Sequence, residues 1–164
     1  MINKTFFRYL FLLFGFFLLI HSGNINAQAI PPFKMQLTNG NTYTYKDVSK
    51  TKPLLIIYFA PDCGHCQALI REMIKKVNDF KKAEVLLVSF EPLNMVAKFQ
   101  KDYHLLQYSN IKCGTEAPTF YFKNFFNLDK TPFTALYNKN GKLIISYKNM
   151  PQIDGLVKRL RALN

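Results

Sequence analysis

Acidic residues are scarce in this 164-residue chain: ten Asp and Glu stand against 22 Lys and Arg, a formal charge of +12. None of the ten occurs before Asp47. Cysteine is scarce too, at Cys63, Cys66 and Cys113. Two of these are close together, and only Cys113, His65 and His104 are left to join them. A structural zinc site takes about four N or S donors, so zinc is a poor fit. The first 29 residues hold no cysteine, which argues against a lipid-modified amino terminus. There is no low-complexity tract and no internal repeat, so neither disorder nor a repeat array is indicated.

What is present suits one domain with a short appendage. Hydrophobic residues make up 49% of the chain and aromatic residues 15%, ample for one core. The appendage is residues 1–29. Lys4 and Arg8 give it a positive start, and Tyr9 to Ile20 ("YLFLLFGFFLLI") is uninterrupted and apolar. Small and polar residues follow, ending in Ala27-Gln28-Ala29. That order is the layout of a secretory signal peptide, with cleavage after Ala27 or Ala29. The competing reading is an uncleaved anchor, for which the run is short of the roughly 20 residues that span a bilayer. Either way residues 30–164 form a domain outside the cytoplasm, in the periplasm or cell envelope, where nucleic acid is not an expected partner. Without the leader's Lys4 and Arg8 the domain keeps a charge of +10. Paired lysines such as Lys75-Lys76 and Lys81-Lys82 read as a solvated surface, or as an attraction to anionic membrane or acidic clients.

Within the domain the hydrophobic period alternates. Pro53 to Phe59 ("PLLIIYF") is apolar throughout, as a strand buried on both faces is. Between Cys63 and Phe80, apolar residues recur at Cys66, Leu69, Ile70, Met73, Ile74, Val77 and Phe80, which predicts an amphipathic helix. Glu84 to Phe90 is a second buried strand, completing a strand–helix–strand unit with parallel strands. Further helices are predicted from Pro92 to about Tyr103, from Thr115 to about Asn127, and over a stripe from Ile153 to Leu163. Tyr108 to Cys113 reads as a short strand. Two hairpins are predicted, a small one at Met35 to Tyr45 around Asn39-Gly40 and one at Phe133 to Tyr147 around Asn140-Gly141. The sum is an α/β domain: a central mixed sheet flanked by helices, with an amino-terminal hairpin extension.

Between the first buried strand and its helix lies "PDCGHCQ", Pro61 to Gln67. Covalent haem attachment needs histidine directly after the second cysteine, and Gln67 stands there. A Cu(I) carrier and a plain structural disulfide remain as rivals, the first because thiolate pairs suit Cu(I). The place of the motif favours redox exchange. A helix amino terminus offers unpaired N–H groups and a positive dipole end, which lower a thiol's pKa. Cys63 sits there, while Cys66 falls one turn later on the apolar stripe. An exposed thiolate to attack and a buried thiol to resolve is the division of labour that disulfide exchange needs.

A strand, Cys-Gly-His-Cys, a helix, a strand, and later Thr131-Pro132 before a terminal hairpin and helix resemble the thioredoxin superfamily. The hairpin extension and the extra segment before Thr131 resemble its exported TlpA/ResA-type thiol-disulfide oxidoreductases, over roughly Phe33 to Asn164. The resemblance implies a thioredoxin-like fold and catalysis by Cys63 and Cys66, with no cofactor and no metal. It makes Pro132 the cis-proline beside the disulfide and Thr131 the residue whose backbone pairs with bound client. Ala117-Pro118 is the rival cis-proline candidate. The implied partners are client protein thiols or disulfides and a membrane-bound electron donor or acceptor. We expect a monomer.

The surroundings of the two cysteines bear on tuning. Asp62 replaces the family's usual tryptophan, and the chain has no tryptophan at all. Its carboxylate opposes a thiolate at Cys63, unless it caps the helix. The buried acid of cytoplasmic thioredoxins corresponds to Ile57, and the early-helix Glu of TlpA/ResA-type proteins to Leu69, with Glu72 one turn on. No proton acceptor for Cys66 is therefore assigned. Gly64 and His65 complete the tetrapeptide seen in protein disulfide isomerases. A protonated His65 near Cys63 stabilises its thiolate and hence the reduced form, drawing the potential nearer about −180 than −270 mV. TlpA/ResA-type relatives are mostly reductases, so the direction of electron flow is left open. Cys113 reads as a packed small residue or an intermolecular partner. The rings of Phe120 to Phe126 read as core or, in part, as client-binding surface. A peroxidase would resemble a lone Cys after Pro-x-x-x-Thr, a pattern the chain does not have.

Overall fold

The computed structural model describes residues 28–163. Of the leader read from sequence, residues 1–27 lie outside these. The strands are β1 (Lys34–Leu37), β2 (Thr42–Thr44), β3 (Leu54–Phe59), β4 (Glu84–Ser89), β5 (Ile111–Thr115), β6 (Phe133–Tyr137) and β7 (Leu143–Tyr147). The helices are α1 (Gly64–Lys75), α2 (Val77–Phe80), α3 (Leu93–Asp102), α4 (Tyr121–Phe126) and α5 (Ile153–Arg161), with a 3-10 turn at Leu105–Gln107.

One seven-stranded sheet runs in the order β2-β1-β5-β4-β3-β6-β7. β3, β4 and β5 are parallel, and the flanking pairs are antiparallel. The two apolar runs lie at the centre because only a strand covered on both faces can bury every residue, as β3 and β4 do. Alternation along β3 divides the core. Leu55, Ile57 and Phe59 face Cys66, Leu69, Ile70 and Met73 of α1 together with residues of α2, α3 and α5. Leu54, Ile56 and Tyr58 face the other way, onto Phe33, Met35 and α4's Phe122 and Phe126.

Three sequence expectations shift. The amphipathic stripe from Cys63 to Phe80 is interrupted at Lys76, whose backbone leaves helical geometry (φ −114°, ψ 24°). Its period carries across the break because α1 and α2 bury Met73 and Phe80 in the same core. The third strand begins and ends later than read, since Gly114 and Thr115 pair with β1 as well as β4. A Cβ on Gly114 would lie 2.3 Å from the Gln36 carbonyl oxygen, so this close pairing admits only glycine. The helix predicted from Thr115 to Asn127 is correspondingly shortened to α4. Thr115 is committed to the sheet, and Phe120 and Asn127 adopt left-handed backbone (φ 50° and 49°) that bounds a single short helix.

A buried polar cluster ties the edge of the sheet to its centre. The Glu84 carboxylate, 5% exposed at the start of β4, accepts from Tyr43 Oη (2.7 Å), Ser49 N (2.8 Å) and Lys112 Nζ (2.7 Å). Burial alone would raise the Glu84 pKa, but Lys112, the Ser49 N–H and Tyr43 overcome it and hold the carboxyl below its usual range. A carboxyl with a folded pKa below its unfolded value stabilises the fold above the unfolded value, about 4.3, and loses that contribution as pH falls through the folded value. Lys112→Ala strands the buried carboxylate and is expected to cost about 3 kcal/mol in urea unfolding at neutral pH. The difference from wild type should shrink as the pH drops below about 4.

Candidate active site

β3 delivers the motif. After Phe59 the chain turns through Ala60-Pro61-Asp62, closed by Cys63 N donating to Ala60 O (3.1 Å) and Gln67 Nε2 donating to Pro61 O (2.9 Å). Cys63 itself is the amino-terminal cap of α1. Its sulfur takes the place of a capping oxygen and accepts the Cys66 N–H at 3.3 Å. Asp62 therefore does not cap the helix: it stands one residue outside the cap, exposed. The His65 imidazole is exposed as well, and His65 acts on Cys63 through its backbone N–H.

The two thiols are set apart by these surroundings. Partial burial works to raise the Cys63 pKa, but hydrogen bonds from the Cys66 thiol, the Thr131 side chain and the Cys66 and His65 N–H groups outweigh it and lower the pKa. Cys66 is fully buried; burial first, then its bond to Cys63, pushes it up to about 12. Both cysteines are unpaired in the structure, as is buried Cys113, which burial also pushes up to about 12.

Thr131 reaches the site through the sheet, not through sequence proximity. β6 pairs antiparallel with β3, placing Phe133 beside Tyr58, so the segment just before β6 meets the turn just after β3. Cys63 Sγ lies 3.6 Å from the Thr131 carbonyl oxygen, to which it donates. The Thr131-Pro132 peptide is cis and Pro132 is buried. Ala117-Pro118, the rival on sequence, is also cis, but it is the Thr131 carbonyl that receives the Cys63 thiol.

The acid positions sought in the sequence are filled otherwise. Ile57 and Leu69 pack as core beside Cys66, and Glu72 pairs with Lys75 (2.7 Å) on the helix's outer side. Two features escaped the sequence reading. Thr134 lies opposite Ile57 on Cys66's face of the sheet, buried, with its hydroxyl unpartnered among the described residues. On the other face the Tyr58 hydroxyl donates to buried Glu116 (2.7 Å), which also accepts from Phe122 N (2.7 Å) and Lys123 N (3.2 Å). Tyr58, Phe90, Lys123, Leu128 and Thr131 line a small cleft of about 100 Å³ next to the Thr131-Pro132 segment. The signal was a phenol inside an apolar strand, which needs a polar partner when buried. Of the aromatic run, Phe122 and Phe126 are core, whereas Tyr121 and Phe125 are exposed.

A sequence profile described as the AhpC/TSA family matches residues 27–161. The chain belongs to that family. A protein disulfide-isomerase of Datisca glomerata is 25% identical over 150 residues, covering 92% of this chain and 26% of that protein. The chain thus spans about a quarter of the length of that relative. A secreted disulfide oxidoreductase of Mycobacterium tuberculosis superposes with a TM-score of 0.67 at 17% identity, over 80% of this chain and 96% of the other. A peroxiredoxin-like protein of Aquifex aeolicus gives a TM-score of 0.70 at 13% identity, over 84% and 86% of the two chains. These likenesses and the sheet order make the fold thioredoxin-like.

With the hydrogen bonds to its sulfur in place, Cys63 is expected to be alkylated by iodoacetamide with a pH midpoint below the ordinary thiol value of about 8.5. Thr131→Val keeps the carbonyl but removes the side-chain hydrogen bond to the sulfur, and should move the midpoint upward. Fluorescence-free mass-spectrometric counting of modified Cys63 against pH reads this directly, and an unchanged midpoint would show that Thr131 does not tune the sulfur.

Proposed function

We propose that the chain is a thiol-disulfide oxidoreductase that acts on protein disulfides in the cell envelope through Cys63-Gly64-His65-Cys66. The observation that carries this reading is the inequality of the two sulfurs. One is a half-exposed helix cap with a lowered pKa, and the other is sealed in the core and held as a thiol.

The chemistry follows from that inequality. In the reducing direction the Cys63 thiolate attacks one sulfur of a client disulfide. A Cys63–client S–S bond forms, and the client's other sulfur leaves as a thiolate. Cys66 gives up its proton, for which the departing client thiolate is a competent acceptor, and attacks Cys63 Sγ. The Cys63–Cys66 disulfide forms and the client leaves fully reduced, with two electrons transferred from enzyme to client. Oxidation of a client dithiol is the same path reversed. The high pKa of Cys66 has a clear consequence: the mixed disulfide persists until its proton is taken. Thr131 and Pro132 form the wall of the client groove, with the Thr131 backbone presented to an extended client segment. Asp62, Gly64 and His65 set the potential from the exposed side. In this reading the leader exports the domain, which works as a monomer with a membrane-bound electron partner. Gln28 O accepts from Leu143 N (3.0 Å), which supports cleavage after Ala27 in preference to Ala29, since only the former keeps Gln28 in the domain.

Cys66→Ser is expected to accumulate mixed disulfides between Cys63 and envelope proteins, visible as adducts on non-reducing gels and absent from Cys63→Ser. Copper recovered in stoichiometric amount with the wild-type chain, and lost on changing either cysteine, would replace this reading with a metal carrier. Titration against glutathione sets the direction. A potential near about −180 mV marks an oxidant or isomerase, and one below about −250 mV a reductase.

A further inference from the structure

The sheet separates charge along its strands. β3 starts at Leu54, beside Glu84 at the start of β4 and Tyr137 at the end of β6. Three connections therefore gather at one end of the molecule: residues 49–53 entering β3, residues 81–83 entering β4, and the turn 138–142 between β6 and β7. They carry Lys50, Lys52, Lys81, Lys82, Lys139 and Lys142, all exposed, and no Asp or Glu. The adjoining carboxylate, Glu84, is buried and held by Lys112, and Asp47 accepts both its hydrogen bonds from Thr44. Cys63 lies at the opposite end, about 20 Å away along the six residues of β3. That end carries Asp62, Glu91 and Asp129 among its basic residues Lys123 and Lys130.

Two further observations point to what the lysine end meets. Lys50 and Lys139 rim an open recess of about 530 Å³ together with Ile30, Val48 and Tyr45, and Tyr45 is 43% exposed. Lysines around a half-exposed tyrosine and small apolar patches are the composition of a membrane-interface surface. The described chain also begins here. Leu143 N donates to Gln28 O (3.0 Å) and Ile30 N donates to Gly141 O (3.3 Å), so the amino-terminal end of the domain is fixed to the lysine-bearing turn. Before cleavage, only residues 21–27 separate Gln28 from the apolar run Tyr9 to Ile20, and seven residues reach at most about 25 Å.

We propose that this end of the sheet docks on an anionic bilayer surface, with Lys50, Lys52, Lys139 and Lys142 against the headgroups and Cys63 turned to the aqueous side. The strands fix the orientation: attraction acts at one end within about one Debye length, while the carboxylates at the other end oppose the reverse approach. The inference is independent of the redox chemistry and concerns where the site is presented.

The test uses the exported chain that remains after cleavage at Ala27 and two vesicle preparations, phosphatidylcholine alone and an equal mixture with phosphatidylglycerol, and the difference between them is read by sedimentation. Binding to the anionic vesicles should exceed binding to the neutral ones by about tenfold or more at low salt and converge with it at high salt. Exchanging Lys50, Lys52, Lys139 and Lys142 for Gln should abolish the difference. Exchanging Lys98, Lys123, Lys130 and Lys148, with equal loss of charge, should leave most of it. Circular dichroism confirms that both variants are folded. On anionic vesicles the reduced wild-type protein should react with a water-soluble maleimide at Cys63 as fast as it does in solution. Equal binding to both vesicles, equal losses in the two variants, or shielding of Cys63 on the vesicle each overturns the proposal.

Discussion

The site depends on one physical fact: a helix begins where a buried strand ends, and a sulfur stands at the junction. The first turn of α1 has N–H groups with no partner inside the helix. In most helices an oxygen of Ser, Thr, Asp or Asn satisfies one of them. Here Cys63 does so, and the bond that caps the helix is the same bond that stabilises a thiolate. Helix stability and thiol acidity are thus one interaction seen from two sides. It also accounts for Asp62, whose charge remains outside the cap and exposed to solvent.

The sheet supplies what the helix cannot. Cys63 and Thr131 are 68 residues apart, and they meet because β3 is clamped between parallel β4 and antiparallel β6 in fixed register. A slip of one residue in the β3–β6 pairing would turn the alternating faces over and withdraw the Thr131 carbonyl from the sulfur. The core enforces that register from both sides. α1 packs on Ile57 and Phe59, while α4 and the amino-terminal hairpin cover Ile56 and Tyr58. The resolving thiol shares this confinement, since Cys66 is as much a core residue as Leu69 beside it. Its high pKa follows first from packing and then from its bond to Cys63.

Strand direction gives the molecule two unlike ends. The parallel strands β3 and β4 both start at the lysine-bearing end and both finish at the redox end. Chain connections at one end carry only positive charge, while those at the other carry the motif, the Thr131-Pro132 segment and three carboxylates. An excess of basic residues that looks scattered along the sequence becomes, in the fold, a charge gradient along the sheet.

The sequence by itself determined the local chemistry and most of the elements. Full apolar runs marked β3 and β4, the three-and-four spacing marked α1, Asn-Gly pairs marked both hairpin turns, and the strand-to-helix position of Cys63 made it the acidic thiol. These are short-range properties, written in composition and period. Tertiary structure decided whatever rests on pairing between distant segments. Gly114 and Thr115 were drawn into the sheet by β1, which a local reading of Thr115-Glu116-Ala117-Pro118 as a helix start does not contain. Glu116 became a buried acceptor only because Tyr58 stands across from it, and Thr131 became a ligand of sulfur only because β6 runs beside β3. A period reports which face of an element is buried, but the partner on that face is set by register, and register is a property of the assembled sheet.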